Sequence, residues 1–245
     1  MEDLNKKIIF DCHTHYHNNF DQGQYVVLSG YNFKTNQIVL KNSHKPNVYF
    51  SLGLAPQEIQ RKDLYPNPEQ EIQKIKNQIE NQMQNQLFVG IGEVGLDNHW
   101  AKNAQDREIQ QNAFLEMIKL AKEKSCPLII HSRDAEKDCL ELLIKNNIKK
   151  AIFHCFGGNL SQALLASENN YYISIPPIKS KERKKIIKQI PLDYLLIESD
   201  APYLGKVSLD CLKSAAMIAE YKNISIKEVL ERTFLNAKII FSKEF

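Results

Sequence analysis

The chain has 245 residues, 43% of them apolar and 25% charged; these are ordinary globular values that exclude wholesale disorder, and the length fits one large α/β domain over residues 1–245. Its formal net charge of +3 is too small to identify a nucleic-acid binder by charge alone. No apolar run has the length of a signal peptide or membrane span, and Cys12, Cys126, Cys139, Cys155 and Cys211 form no paired motif, so a soluble protein of the reducing cytoplasm is expected.

Short β-branched, apolar runs alternate with longer segments of helical period, the rhythm of parallel β-α units. The first predicted strand covers 8–12 and the second 25–29. Only nine residues separate His15 from Tyr25, too few for a helical crossover. The first helix is therefore expected to be missing, with the second strand pairing antiparallel or forming a ribbon with 37–40. A third strand covers 48–52. Ile72, Ile75, Ile79 and Met83 recur at helical spacing, so a helix precedes the fourth strand at 88–92. Ile109, Ala113, Phe114, Met117, Leu120 and Ala121 mark the helix before the fifth strand at 128–131. Helices over 136–145, 161–168 and 181–189 then alternate with strands over 151–154, 171–175 and 194–198. Two helices, 209–221 and 227–241, close the chain. Eight strands in this order predict a TIM-like (β/α)8 barrel, distorted on the side of the missing helix.

Barrels of this kind build their sites where the C-terminal strand ends converge. His13 and His15 end the first strand, and two-residue spacing in an extended segment aims both imidazoles to one side. Later strand ends supply Glu93, His131, His154 and Asp200. A lone histidine beside a strand is more often a hydrogen-bonded structural residue than a ligand. The joint occurrence at successive strand ends is what points to metal. Four imidazoles and two carboxylates exceed the needs of one tetrahedral ion and suggest two divalent cations bridged by a carboxylate and a water. Glu198 shares a face with Asp200 and is expected to orient a ligand. Cys12 and Cys155 flank proposed ligands, but alternation sets each on the face opposite its histidine, as packing residues. The basic stretch 179–185 suits a solvated helix face as well as a phosphate-facing loop.

In the segments FDCHTH, GIGEVGLD, LIIHSRDA, FHCFGG and LLIESDAPYL the chain resembles the TatD-like metal-dependent deoxyribonucleases of the amidohydrolase-like barrels. The likeness extends through PLDYLLIESD and the closing SIKEVLERTFLNAKIIF. It implies that His13, His15, Glu93 and Asp200 surround one ion and Glu93, His131 and His154 the other, with Glu93 as the bridge. Arg133 is implied to face the site, either binding a phosphate or pairing with Asp134 or Glu136. The chain departs from the pattern at Ala55, where the family has histidine, in the short segment after Asp200, and in the missing first helix. These departures imply a more open site or a different substrate.

The expected activity is hydrolysis of phosphodiester bonds in DNA by a metal-activated hydroxide, with Asp200 and Glu93 catalytic and Asp200 taking the proton. Arg133 and Lys179 would bind the substrate. Zinc, manganese, iron or magnesium suits the mixed nitrogen and oxygen donors. Hydrolysis of another ester or amide, such as a D-aminoacyl-tRNA, and a catalytically silent binding protein on the same fold are the alternatives.

Overall fold

Eight strands form one sheet in chain order: β1 (Phe10–Thr14), β2 (Tyr25–Ser29), β3 (Val48–Leu52), β4 (Phe88–Gly95), β5 (Leu128–His131), β6 (Ala151–Phe153), β7 (Tyr172–Ile175) and β8 (Leu195–Ile197). The structure is a computed structural model that describes residues 8–245. All seven neighbouring pairs are parallel, which gives the TIM-like (β/α)8 barrel. Between the edge strands the seam is held at its upper end. The Asp200 N–H donates to the His13 carbonyl (3.0 Å) and the His15 N–H to that of Ala201 (2.7 Å). Below them the buried Asp11 carboxylate accepts from the Ser199 N–H (2.8 Å) and hydroxyl (2.6 Å).

No helix forms between β1 and β2 among the described residues. The expected antiparallel pairing is overturned, because Phe10 faces Tyr25 in a parallel ladder. A ten-residue loop can make this return because its Phe20 is fully buried against the core, so the segment packs without a helix. The ribbon at 37–40 is also overturned. Those residues belong to α1 (Phe33–Asn42), started by a capping box in which the Asn32 side chain accepts from the Thr35 N–H. The cap and the burial of Asn36 and Val39 on one face decide for helix. The rest follow as α2 (Pro56–Ile59), α3 (Pro68–Glu80), α4 (Ala104–Lys124), α5 (Glu136–Lys145), α6 (Leu160–Glu168), α7 (Lys181–Gln189), α8 (Cys211–Lys222) and α9 (Ile226–Phe241).

The core has two parts. The larger packs helices against the outer strand faces, through residues such as Leu28, Phe50, Ile130 and Ile197. The smaller holds Phe10, Val27, Ile129, Ile152 and Leu196, capped by Ala237, Ile240 and Phe241 of α9, and fills the lower barrel interior. Two residues further along, the same inward faces carry Ser29, His131, His154 and Glu198. Alternation of side chains along a strand makes this inevitable once the lower residue faces in. In β1 the register against β2 slips between Asp11 and Thr14. The extra residue lets Cys12 join the inner cluster while His13 also turns to the site.

Candidate active site

The site is a cavity of about 630 Å³ at the C-terminal strand ends, lined by His15, Glu93, His131, His154 and Asp200 among others. His13 lies beneath, fully buried, with its ring stacked on His154 at 4.0 Å. Two groups of donors converge: His13, His15 and Asp200, and His13, Glu93 and His154. Glu93 faces both sides. Its Oε2 lies 3.8 Å from His15 Nε2 and its Oε1 3.5 Å from His154 Nε2.

Ser29 aims the first pair of rings. Its carbonyl accepts from His15 Nδ1–H (3.0 Å) and its hydroxyl meets His13 Nδ1 (3.2 Å). Both Nε2 atoms are thereby turned to a common point, 3.2 Å apart. Asp200 Oδ1, 3.4 Å from His15 Nε2, is buried without a hydrogen-bond partner among the described residues. Lone pairs crowded together with an orphaned carboxylate oxygen fit a divalent cation, since a buried acceptor without a partner is otherwise costly.

At His13 and Glu93 the electrostatics agree with that reading. Burial lowers the His13 imidazole well below its ordinary range, and the neighbouring His154 and His15 lower it further, so it stays neutral with a lone pair to offer. Burial would raise Glu93, but hydrogen bonds from His131 and His154 outweigh it and hold the carboxyl well below the usual range. In the same exchange burial lowers His154, and Glu198 and Glu93 more than compensate, raising it well above the ordinary imidazole.

His131 is placed differently from the expected ligand set. Its Nδ1 bonds Glu93 Oε1 (2.7 Å) and its Nε2 bonds Asp97 Oδ2 (2.8 Å), so both nitrogens meet carboxylates, and it belongs to neither donor group. Asp97 is the residue that sequence reasoning missed, although it closes the quoted GIGEVGLD. Arg133 lines the cavity; Asp134 pairs with His99 instead (3.5 Å). Lys179 does not line it. Its ammonium sits on the outer surface against Glu220 (2.9 Å), because the helix it precedes turns that side chain toward α8. Arg183 lines the cavity from α7, held by the carbonyls of Ile178 (2.7 Å) and Phe156 (3.1 Å).

Cys12 is buried and bonded to the Ser174 hydroxyl (2.9 Å), a packing role on the inner face and not the outer one. Cys155 departs from its expected place. It follows β6 in a left-handed turn at φ 46°, its N–H donates to Glu198 Oε1 (2.7 Å), and it lines the cavity; strand alternation stops applying where the strand ends. Ala55 is fully buried and does not line the cavity, while Gln57 and Glu58 just after it do. The short segment after Asp200 contributes Tyr203 and Leu204 to the wall.

The model of the TatD related DNase family matches residues 10–242. This chain belongs to that family. Among its relatives is the human deoxyribonuclease TATDN3, 36% identical over 170 residues that cover 64% of this chain and 61% of the relative. Another is the uncharacterized metal-dependent hydrolase YabD of Bacillus subtilis strain 168, 39% identical over 62% of this chain and 65% of that protein. The matched stretch thus spans less than two thirds of either relative. The crystal structure of YJJV, a TatD homolog from Escherichia coli K12, superposes with a TM-score of 0.80 over 98% of this chain and all of that one, at 20% identity; this shows the shared fold. No helix among the described residues of this TatD-family chain is long and apolar enough to cross a membrane.

Proposed function

We propose that residues 1–245 act as one catalytic unit hydrolysing phosphodiester bonds in DNA, at single-stranded or frayed ends, with two divalent cations. The observation that carries this reading is Glu93, whose two oxygens face two converging donor groups. His13, His15 and Asp200 would hold one cation and His154 the other, with Glu93 shared. When bound, such ions lower the pKa of water and neutralise charge on the phosphate. Ser29 orients the His13 and His15 imidazoles, and Glu198 faces His154 Nδ1 at 3.8 Å. Asp200 would also accept the proton of the attacking water. Arg133 and Arg183, both on the cavity wall, offset charge that develops on phosphate oxygens. His131, clamped between Glu93 and Asp97, holds the bridging carboxylate in place.

The activity in the name of the human relative supports DNA as the substrate. Ala55 does not line this cavity, so it offers no support for a bulkier substrate or for an aminoacyl ester. All five cysteines are free, which supports a reducing cytoplasmic setting. The test is cleavage of single-stranded and end-frayed DNA with magnesium, manganese or zinc. Activity should vanish with chelator, return when metal is restored, and weaken with salt. Hydrolysis of aminoacyl-tRNA or simple esters with DNA left intact under every metal would overturn the reading.

A further inference from the structure

Four large apolar side chains stay exposed at the mouth of this cavity without a task in the mechanism: Trp100, Ile178, Tyr203 and Leu204. Single exposed apolar residues are common, but these share one cavity with Glu93 and Asp200. Trp100 is the most constrained of them. The backbone N–H of Trp100 donates to Asp97 Oδ1 (2.9 Å), the other Asp97 oxygen bonds His131 Nε2 (2.8 Å), and His131 Nδ1 bonds Glu93 Oε1 (2.7 Å). Three consecutive hydrogen bonds therefore tie the indole-bearing turn to the carboxylate at the centre. Trp100 as a residue remains 49% exposed, with the His99 ring edge-on at 5.1 Å and the Lys102 ammonium 5.7 Å from the indole centroid. On the segment after β8, Tyr203 stands edge-on to His15 at 5.0 Å, its hydroxyl bonded to that of Tyr31 (3.0 Å).

An aromatic side chain on a turn tied to a phosphate-handling centre, and half exposed to solvent, suits a planar group covalently adjacent to the phosphate. In a nucleic acid that group is the base. We propose that Trp100 is a nucleobase-stacking subsite that takes the unpaired base beside the scissile phosphate, with Tyr203 as the second aromatic wall. The proposal rests on the DNA-hydrolase reading above and deepens it. Bases inside a duplex have both faces covered by their neighbours, so the indole selects strands whose ends are open. Stacking is tolerant of base identity, because every base offers a π face, and the subsite imposes strandedness without sequence preference.

Trp100 is the only tryptophan of the chain, so intrinsic fluorescence reports on the subsite directly. The metal-loaded protein is titrated with three cleavage-resistant phosphorothioate probes: a single strand of thymidines, the same backbone with abasic sites, and a blunt duplex. The base-bearing single strand should quench Trp100 fluorescence and bind about tenfold more tightly than the abasic strand, the range expected for base stacking on an aromatic side chain. By polarisation of labelled probes, Trp100→Ala should lose that difference, and Trp100→Phe, which keeps a π face, should retain most of it. A wild-type protein that binds base-bearing and abasic strands equally, or a Trp100→Ala variant that still discriminates, overturns the subsite while leaving the DNA-hydrolase reading intact. If no probe binds and no DNA is cleaved with any of the three metals, both readings fall together.

Discussion

The lower and upper halves of the barrel interior come from the same strands and the same faces, yet have opposite chemistry. Below, Phe10, Val27, Ile129, Ile152 and Leu196 form one apolar cluster, and Phe241 of α9 stacks on Phe10 at 6.0 Å. One step up each strand, Ser29, His131, His154 and Glu198 face inward, and nearly all are buried. The lower half needs no partner beyond itself. The upper half is satisfied only by exact pairing or by a bound cation, since a buried carboxylate or imidazole without a partner costs several kcal/mol. Apolar packing therefore lies below and the titratable cluster above, separated by one pleat of the strand.

Substitutions in the two halves should separate these roles. The largest effect is expected at Glu93. Removing a single preorganised group that stabilises transition-state charge costs ~10²–10³ in rate, and Glu93→Gln, which also weakens two donor groups at once, should lose at least that much DNA cleavage. Its far-ultraviolet circular dichroism should stay that of the folded barrel. Full cleavage by this variant would show that the upper half does not carry the reaction.

Phe10→Ala probes the lower half. Truncating a fully buried phenylalanine typically costs about 3–5 kcal/mol, read as a lower denaturation midpoint. Metal bound per folded molecule should be unchanged. A stable variant that had lost metal would break the division between the halves.

Asp97→Asn tests whether the upper half extends beyond the donors themselves. Asp97 grips His131, and outer partners of this kind typically matter by about 10- to 100-fold in metal affinity or activity. Metal titration and kcat/KM should both fall within that range, less than for Glu93→Gln. A variant indistinguishable from wild type would leave Asp97 as a purely structural support for the Trp100 turn. The smallest effect is expected at Lys179, which belongs to neither half. Lys179→Ala should leave the cleavage rate within about twofold, as for most surface changes away from a site, and a large loss would place it on the substrate path after all.

Much of this was legible in the sequence because it follows from covalent geometry. Side chains alternate along a strand with period two, so Ile129 inward means His131 inward, and Ile152 inward means His154 inward. Amphipathic spacing likewise located α3 through α9 to within a few residues at their ends. The gathering of His13, His15, Glu93, His154 and Asp200 followed from placing four strand ends around one axis. Where local rules stop, so did the reading. Cys155 lies one residue beyond His154 in a left-handed turn, and the slip in β1 keeps both Cys12 and His13 inside. For α1, the short connection after β1 had suggested a ribbon at 37–40, and the Asn32 cap made it a helix.

The order of the strands, the inward faces and the histidine-carboxylate cluster were determined by the sequence alone, because each depends on neighbours a few residues away or on a repeated β-α unit. The partners of those residues were decided only by the tertiary structure. Asp97 and His131 are 34 residues apart, Asp11 and Ser199 are 188 apart, and neither pairing leaves a mark in local spacing. The choice of Arg183 over Lys179 at the cavity wall depended on how α7 packs against α8, and the placement of Trp100 on a hydrogen bond to Asp97. Contacts between distant segments are fixed by packing and by the need to satisfy buried polar groups, and those conditions exist only once the barrel has closed.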